Sequence, residues 1–196
     1  YNRMTGQWLN AENFVQSEYA REFIRDALGV PQETIHDLSD YINLDYLNGA
    51  SGSEREDVVL YNPRKGYEVT SRLIERYPDI TWVPLQGFTR EEMAERMRTA
   101  KVYIDFGYHP GKDRIPREAV IPNRRGSARN DVDVPILPEF KFDEPYKMDD
   151  IHNCIVKCFD DFENETRKFD SYRIWIADEK RRFDEEVLAS ARIMTA

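Results

Sequence analysis

Two short stretches of this sequence combine cations, glycines and carboxylates in a way that suits an anionic, hydroxyl-bearing ligand. The richer one is Asp105-Phe106-Gly107-Tyr108-His109-Pro110-Gly111-Lys112-Asp113-Arg114-Ile115-Pro116-Arg117-Glu118. Its glycines let a ligand approach the backbone closely. His109, Lys112, Arg114 and Arg117 offer donors, and Glu118 can accept from a pair of hydroxyls such as those of a ribose. The second is Asn62-Pro63-Arg64-Lys65-Gly66. Placed between a strand and a helix, Arg64, Lys65 and the free backbone N–H groups could meet a phosphate together, with Gly66 at the turn. That turn is equally open to a plainer reading, in which Pro63 and Gly66 serve geometry while the two cations face solvent. The long turn, likewise, has a solvated loop as its alternative. A weaker third cluster, Asn123-Arg124-Arg125-Gly126-Ser127-Ala128, adds two arginines and a Gly-Ser pair.

Other chemistries fit less well. Gly107 to Asp113 is one residue too short between its glycines for a P-loop, and Asp113 stands where a magnesium-binding Ser or Thr belongs. No Gly-x-Gly-x-x-Gly follows a strand, so the dinucleotide fingerprint is absent. Asp105 and Asp113 could be paired as metal carboxylates, but an Asp inside an apolar strand is better matched to a backbone or arginine partner. His152, Cys154 and Cys158 fall short of a zinc site's four ligands, and the cysteines read as reduced core thiols. No metal, no cofactor and no catalytic base are assigned.

The elements that must position these turns form an alternation of strands and helices, which calls for a parallel sheet flanked by helices. Expected strands are Val58–Tyr61, Ile80–Val83 and Lys101–Phe106. Expected helices are Tyr67–Tyr77, one beginning at the capping box Thr89-Arg90-Glu91-Glu92 and running to Thr99, and one from Ile115 to Val120. Upstream, apolar spacing predicts a helix over Asn13–Leu28 stopped by Gly29, then an extended segment over Thr34–Ile42. Downstream, Asp149–Arg192 reads as two long helices broken near Phe169, Asp170 and Ser171. Charge runs there, such as Asp160-Asp161 and Glu179-Lys180-Arg181-Arg182, read as solvated faces. Gly49 to Ser53 has linker composition. The boundaries are therefore 1–48, a linker at 49–57, a sheet domain at 58–148 and helices at 149–196.

At 196 residues the chain holds one domain and a fraction of another. Apolar residues at 40% and charged residues at 33% describe a folded chain rather than a disordered one. A net charge of −9 argues against a general nucleic-acid surface, since phosphate backbones need a basic face. No run reaches a membrane span's length, and residues 1–7 lack a signal pattern, so a cytoplasmic location is expected.

The order of the turns resembles the C-terminal, donor-binding domain of GT-B glycosyltransferases, enzymes with two facing Rossmann-like domains. Arg64 and Lys65 look like that family's basic pair, which grips the donor diphosphate. Glu118, in His109-Pro110-Gly111-Lys112-Asp113-Arg114-Ile115-Pro116-Arg117-Glu118, looks like its ribose-binding glutamate. Ser17-Glu18-Tyr19-Ala20, Gly29-Val30-Pro31 and Ile35 to Asn43 are similar to the tail of its N-terminal domain. The family's glutamate eight residues before Glu118 is replaced by Pro110, leaving its role to His109, Gly111 and Lys112. The resemblance implies an α/β fold, the C-terminal half of a GT-B architecture with long C-terminal helices bracing the first domain. It implies metal-independent glycosyl transfer from a nucleotide diphosphate sugar to a glycan or other acceptor. Implied site residues are Asn62, Arg64, Lys65, Gly66, His109, Gly111, Lys112, Arg114, Arg117 and Glu118. It implies, too, that most of the acceptor half would be supplied by a missing N-terminal domain or a partner subunit. The alternatives are a non-catalytic Rossmann-like module that binds another protein, and a phosphosugar epimerase or phosphatase.

Overall fold

The structure, a computed structural model, describes residues 8–43, 55–107, 111–120, 142 and 145–195. Residues 49–54 of the expected linker at 49–57, His109, and the Asn123–Ala128 cluster lie outside these residues, and Glu56 and Asp57, expected in that linker, belong to a strand of the main sheet.

Residues 8–43 form a small β–α–β unit. β1 (Asn13–Val15) pairs in parallel with β2 (Ile35–Asp37), in the register Asn13↔Ile35. The helix predicted from Asn13 therefore begins five residues late, at α1 (Glu18–Glu22), which continues as a widened π turn over Phe23–Ala27. Two side chains explain the correction. Asn13 is buried and donates to the Trp8 carbonyl at 3.0 Å and the Ala11 carbonyl at 2.7 Å, which fixes it in extended chain. Ser17 accepts from the Ala20 N–H at 3.1 Å and so starts the helix itself. The segment predicted as extended over Thr34–Ile42 is a strand only at Ile35–Asp37.

The main sheet has three parallel strands in the order β4-β3-β5: β3 (Glu56–Tyr61), β4 (Thr81–Pro84) and β5 (Ala100–Ile104). Val59 and Leu60 are fully buried, as an apolar run covered on both faces requires. On one face Val59, Tyr61 and Val102 pack against α2 (Tyr67–Arg76) and α5 (Met148–Asp160). On the other, Val58, Leu60 and Tyr103 meet Met97 of α3 (Arg90–Thr99) and Ala119 of α4 (Arg114–Val120). Because β4 and β5 flank β3 on opposite sides, the chain reverses direction across the sheet between β3 and β5. A crevice opens at the carboxyl ends of strands at such a point. The capping box is present as read: Thr89 accepts from the Glu92 N–H at 3.2 Å, and Glu92 from the Thr89 N–H at 2.8 Å.

The two long C-terminal helices expected are four in the structure: α5, α6 (Phe162–Arg167), α7 (Asp170–Ala177) and α8 (Glu179–Thr195). The break near Phe169 is joined by one at Asp161, whose φ of −132° and ψ of 52° leave the helical region, and by one at Asp178. The charge run starting at Glu179 is only partly a solvated face. Arg181 is exposed and pairs with Asp178 and Glu185, whereas Glu179 is 1% exposed. α8 returns to the first unit, where Glu186 accepts from the N–H and hydroxyl of Ser39, both at 2.6 Å, and Phe183 lies 5.1 Å from the Tyr41 ring. Cys154 and Cys158 are free thiols, and the Cys158 S–H points to the Cys154 carbonyl at 2.8 Å. Among the described residues no helix is long and apolar enough to cross a membrane.

Candidate functional site

The basic turn after β3 is pressed onto the turn after β5. Gly66 caps α2 in the left-handed region at φ 60°, where a methyl group would overlap the Phe106 carbonyl carbon and stand 2.7 Å from the Gly107 nitrogen. A side chain at Gly107 would in turn strike Lys65. Glycine at both places is what allows the two turns to meet. Asn62 ties them from within: its Oδ1 accepts from the Arg64 N–H at 3.0 Å, and its Nδ2 donates to Asp105 at 3.4 Å.

Asp105 is the buried hub of this junction. At 1% exposure it accepts from the Tyr103 hydroxyl at 2.6 Å and the Gly107 N–H at 2.9 Å as well as from Asn62. The backbone partner foreseen for it is there, joined by a tyrosine. Burial, with the Asp105 carboxylate beside it, pushes the Tyr103 phenol well up, so it stays a donor.

Two cavities open around this junction. One of about 190 Å³ lies between the β3 and β5 ends and is lined by Asn62, Lys65, Asp105, Asp113 and Arg114, with Ile115 and Pro116 as its apolar wall. The other, of about 310 Å³, is lined by Phe88, Thr89, Arg90, Met93, Arg114 and Glu118. Arg114 belongs to both and donates to Glu118 at 3.0 Å. Lys65 is paired with Asp113, and Arg64 is exposed beside it. The crevice thus offers cations at one end, and a carboxylate, an arginine and an apolar wall at the other.

Two of the expected cations are placed elsewhere. Arg117 has no exposure. Its guanidinium donates to Glu179 at 2.8 Å, to Asp40 at 2.7 Å and to the Lys112 carbonyl at 3.0 Å. The Lys112 ammonium lies 4.0 Å from Glu179 and 5.2 Å from the centre of the Trp175 ring. Arg117 joins the sheet domain to α8 and to Asp40, and Lys112 joins it to α7 and α8, so neither lines a cavity. Gly111, at φ 103°, packs so closely on Ser17 that a methyl there would stand 2.7 Å from its hydroxyl.

Sequence reasoning passed over the wall formed by Phe88, Thr89, Arg90 and Met93. The signal was available, since these residues follow β4 just as the basic turn follows β3, and each strand's carboxyl end faces the crevice.

No model of a known protein family matches the chain, and no curated protein matches it in sequence. Solved structures do. A glycosyltransferase from Rickettsia africae ESF-5 superposes with a TM-score of 0.67 at 13% identity, covering 98% of this chain and 66% of its own. TarM gives 0.68 at 14% identity, covering 95% of this chain and 44% of its own. A sucrose-phosphate synthase from Thermosynechococcus elongatus gives 0.61 at 15%, covering 95% and 61%. The chain therefore has part of the GT-B fold, and it spans between 44% and 66% of the length of these relatives.

Proposed function

We propose that this chain binds the nucleotide diphosphate sugar donor of a glycosyl transfer reaction, in the crevice where the β3 and β5 turns meet. The observation that carries this reading is the pair of cavities joined at Arg114. Lys65 and Arg114 line the smaller, with Arg64 beside it, and Glu118 and an apolar wall line the larger. In this assignment the diphosphate lies against the Asn62–Gly66 turn and Arg114, and the ribose hydroxyls donate to Glu118. The base rests near Phe88 and Met93. His109 and Gly111, which stand between β5 and α4 in sequence, would serve the sugar.

The chemistry asked of these residues is electrostatic. As the sugar departs, negative charge grows on the diphosphate, and in this reading Arg64, Lys65 and Arg114 stabilise it. Fixed cations can meet that charge with no metal ion. Lys112 and Arg117 act at one remove, holding the Gly111–Asp113 turn and α4 against α7 and α8. An acceptor and a general base would come from the part of a GT-B architecture that this chain does not span.

The test is a thermal unfolding screen of the chain against UDP, GDP, ADP, CMP and their sugar conjugates. A ligand at 100 times its dissociation constant stabilises by about 2.7 kcal/mol, which for a chain of this size raises the melting temperature by about 5–10 °C. One diphosphate is expected to give such a shift. A well-folded sample that none of them shifts contradicts the reading and favours the protein-binding module.

A further inference from the structure

Lys65 and Arg114, the two cations that line the smaller cavity, each have a carboxylate partner, Asp113 and Glu118, and these pairings differ in kind from the one that holds Arg117. Arg117 and Glu179 are 0% and 1% exposed at their side chains, so their pairing belongs to the fold. Lys65 and Asp113 are 33% and 30% exposed, and both line the smaller cavity. A pair so open to water contributes only about 0.2–1 kcal/mol, little enough for a ligand to replace. Asp105, the other carboxylate of that cavity, is locked by three donors and cannot leave.

The chain on either side of Asp113 is anchored. Gly111 packs on Ser17, Lys112 lies over Trp175 near Glu179, the Asp113 N–H donates to the Gly111 carbonyl at 3.0 Å, and Arg114 begins α4. The backbone of Asp113 is thus held in place while its side chain, partly exposed, lines the smaller cavity beside Lys65. A diphosphate brought to Lys65 and Arg114 must enter a cavity that this carboxylate shares.

Resting on the donor-site reading, we propose that Asp113 is an internal counter-ion that holds Lys65 until a diphosphate displaces it, and so sets how much negative charge a ligand must bring to occupy the crevice. Without a ligand, the pair keeps the Lys65 ammonium satisfied and in place. A diphosphate reaches Lys65 and Arg114 together and outcompetes one carboxylate. An uncharged nucleoside leaves the pair closed.

The experiment is calorimetric titration of inorganic pyrophosphate, and of the nucleoside diphosphates, into the wild-type chain, Asp113→Asn, Lys65→Ala and the double variant. Asp113 is partly exposed, so the substitution leaves the fold intact, which the melting temperature verifies. Asp113→Asn is expected to bind about three- to tenfold more tightly, as loss of a competing ion pair and of repulsion at short range requires. The gain should shrink to less than about twofold in the Lys65→Ala background, because the coupling runs through that ammonium. If the wild type binds and Asp113→Asn binds equally or more weakly, Asp113 supports the site instead, and this inference falls while the donor site stands. An undiminished gain without Lys65 also overturns it. Failure of all variants to bind any diphosphate removes the donor site and this inference together.

Discussion

Replacing Arg117 by alanine is expected to lower the free energy of unfolding by about 3–5 kcal/mol, the cost of leaving a buried charge without its partner. The guanidinium has no exposure and donates to Glu179, Asp40 and the Lys112 carbonyl, linking α4 to α8 and to the residues after β2. Without it, the Glu179 carboxylate at 1% exposure keeps only Lys112 at 4.0 Å and a 3.3 Å bond from the Ile42 N–H. The loss should depend on pH. Burial holds the Glu179 carboxyl above its ordinary value, and Arg117 and Lys112 pull it partly back. A carboxyl raised in the folded state favours folding below its unfolded value, and that contribution is lost as pH rises through the folded one. Removing Arg117 raises it further, so the deficit is larger near pH 8 than near pH 4. Glu179→Gln in the Arg117→Ala background should recover part of the loss at the higher pH. Denaturant unfolding of the wild type and the two variants at both pH values checks this. A deficit under about 1 kcal/mol and flat with pH would place the network among the ordinary surface pairs.

The second large effect concerns the ligand. Hydrogen bonds to charged groups contribute about 1.5–3 kcal/mol each, so Arg64→Ala with Lys65→Ala should weaken nucleoside diphosphate binding by about 3 kcal/mol, on the order of 150-fold. The same nucleoside without phosphates should change by less than about twofold, since the contacts proposed for it are with Glu118, Phe88 and Met93, which line the second cavity. Competition titrations with both ligands separate the two. Equal losses would mean that the pair supports the fold and does not meet phosphate.

What could be read in advance follows the range of the interactions involved. The three parallel strands and their helices were legible because apolar runs, a Pro at Pro78 and the Thr89–Glu92 capping box are local signals. β1 was not, because a strand of three residues, Asn13–Val15, is too short to show alternation and sits against a helix of matching apolar content. In the site, the chemistry of each turn was visible and the destination of each side chain was not. Lys112, Arg114 and Arg117 are equivalent on paper. Glu179, 62 residues beyond Arg117, draws two of them away, and Asp113, 48 residues beyond Lys65, engages the lysine of the Asn62–Gly66 turn. Glu179 itself looked like one charge among four, because burial is decided by the return of α8 to residues 39–42 and leaves no local mark.

A crystal structure of the chain with the nucleoside diphosphate that most stabilises it addresses the donor site at first hand. The expected density places the phosphates against the Asn62–Gly66 turn and Arg114, the ribose hydroxyls on Glu118, and the base beside Phe88 and Met93. Phosphates bound away from the carboxyl ends of β3 and β5, or a ligand whose ribose does not reach Glu118, would contradict the assignment.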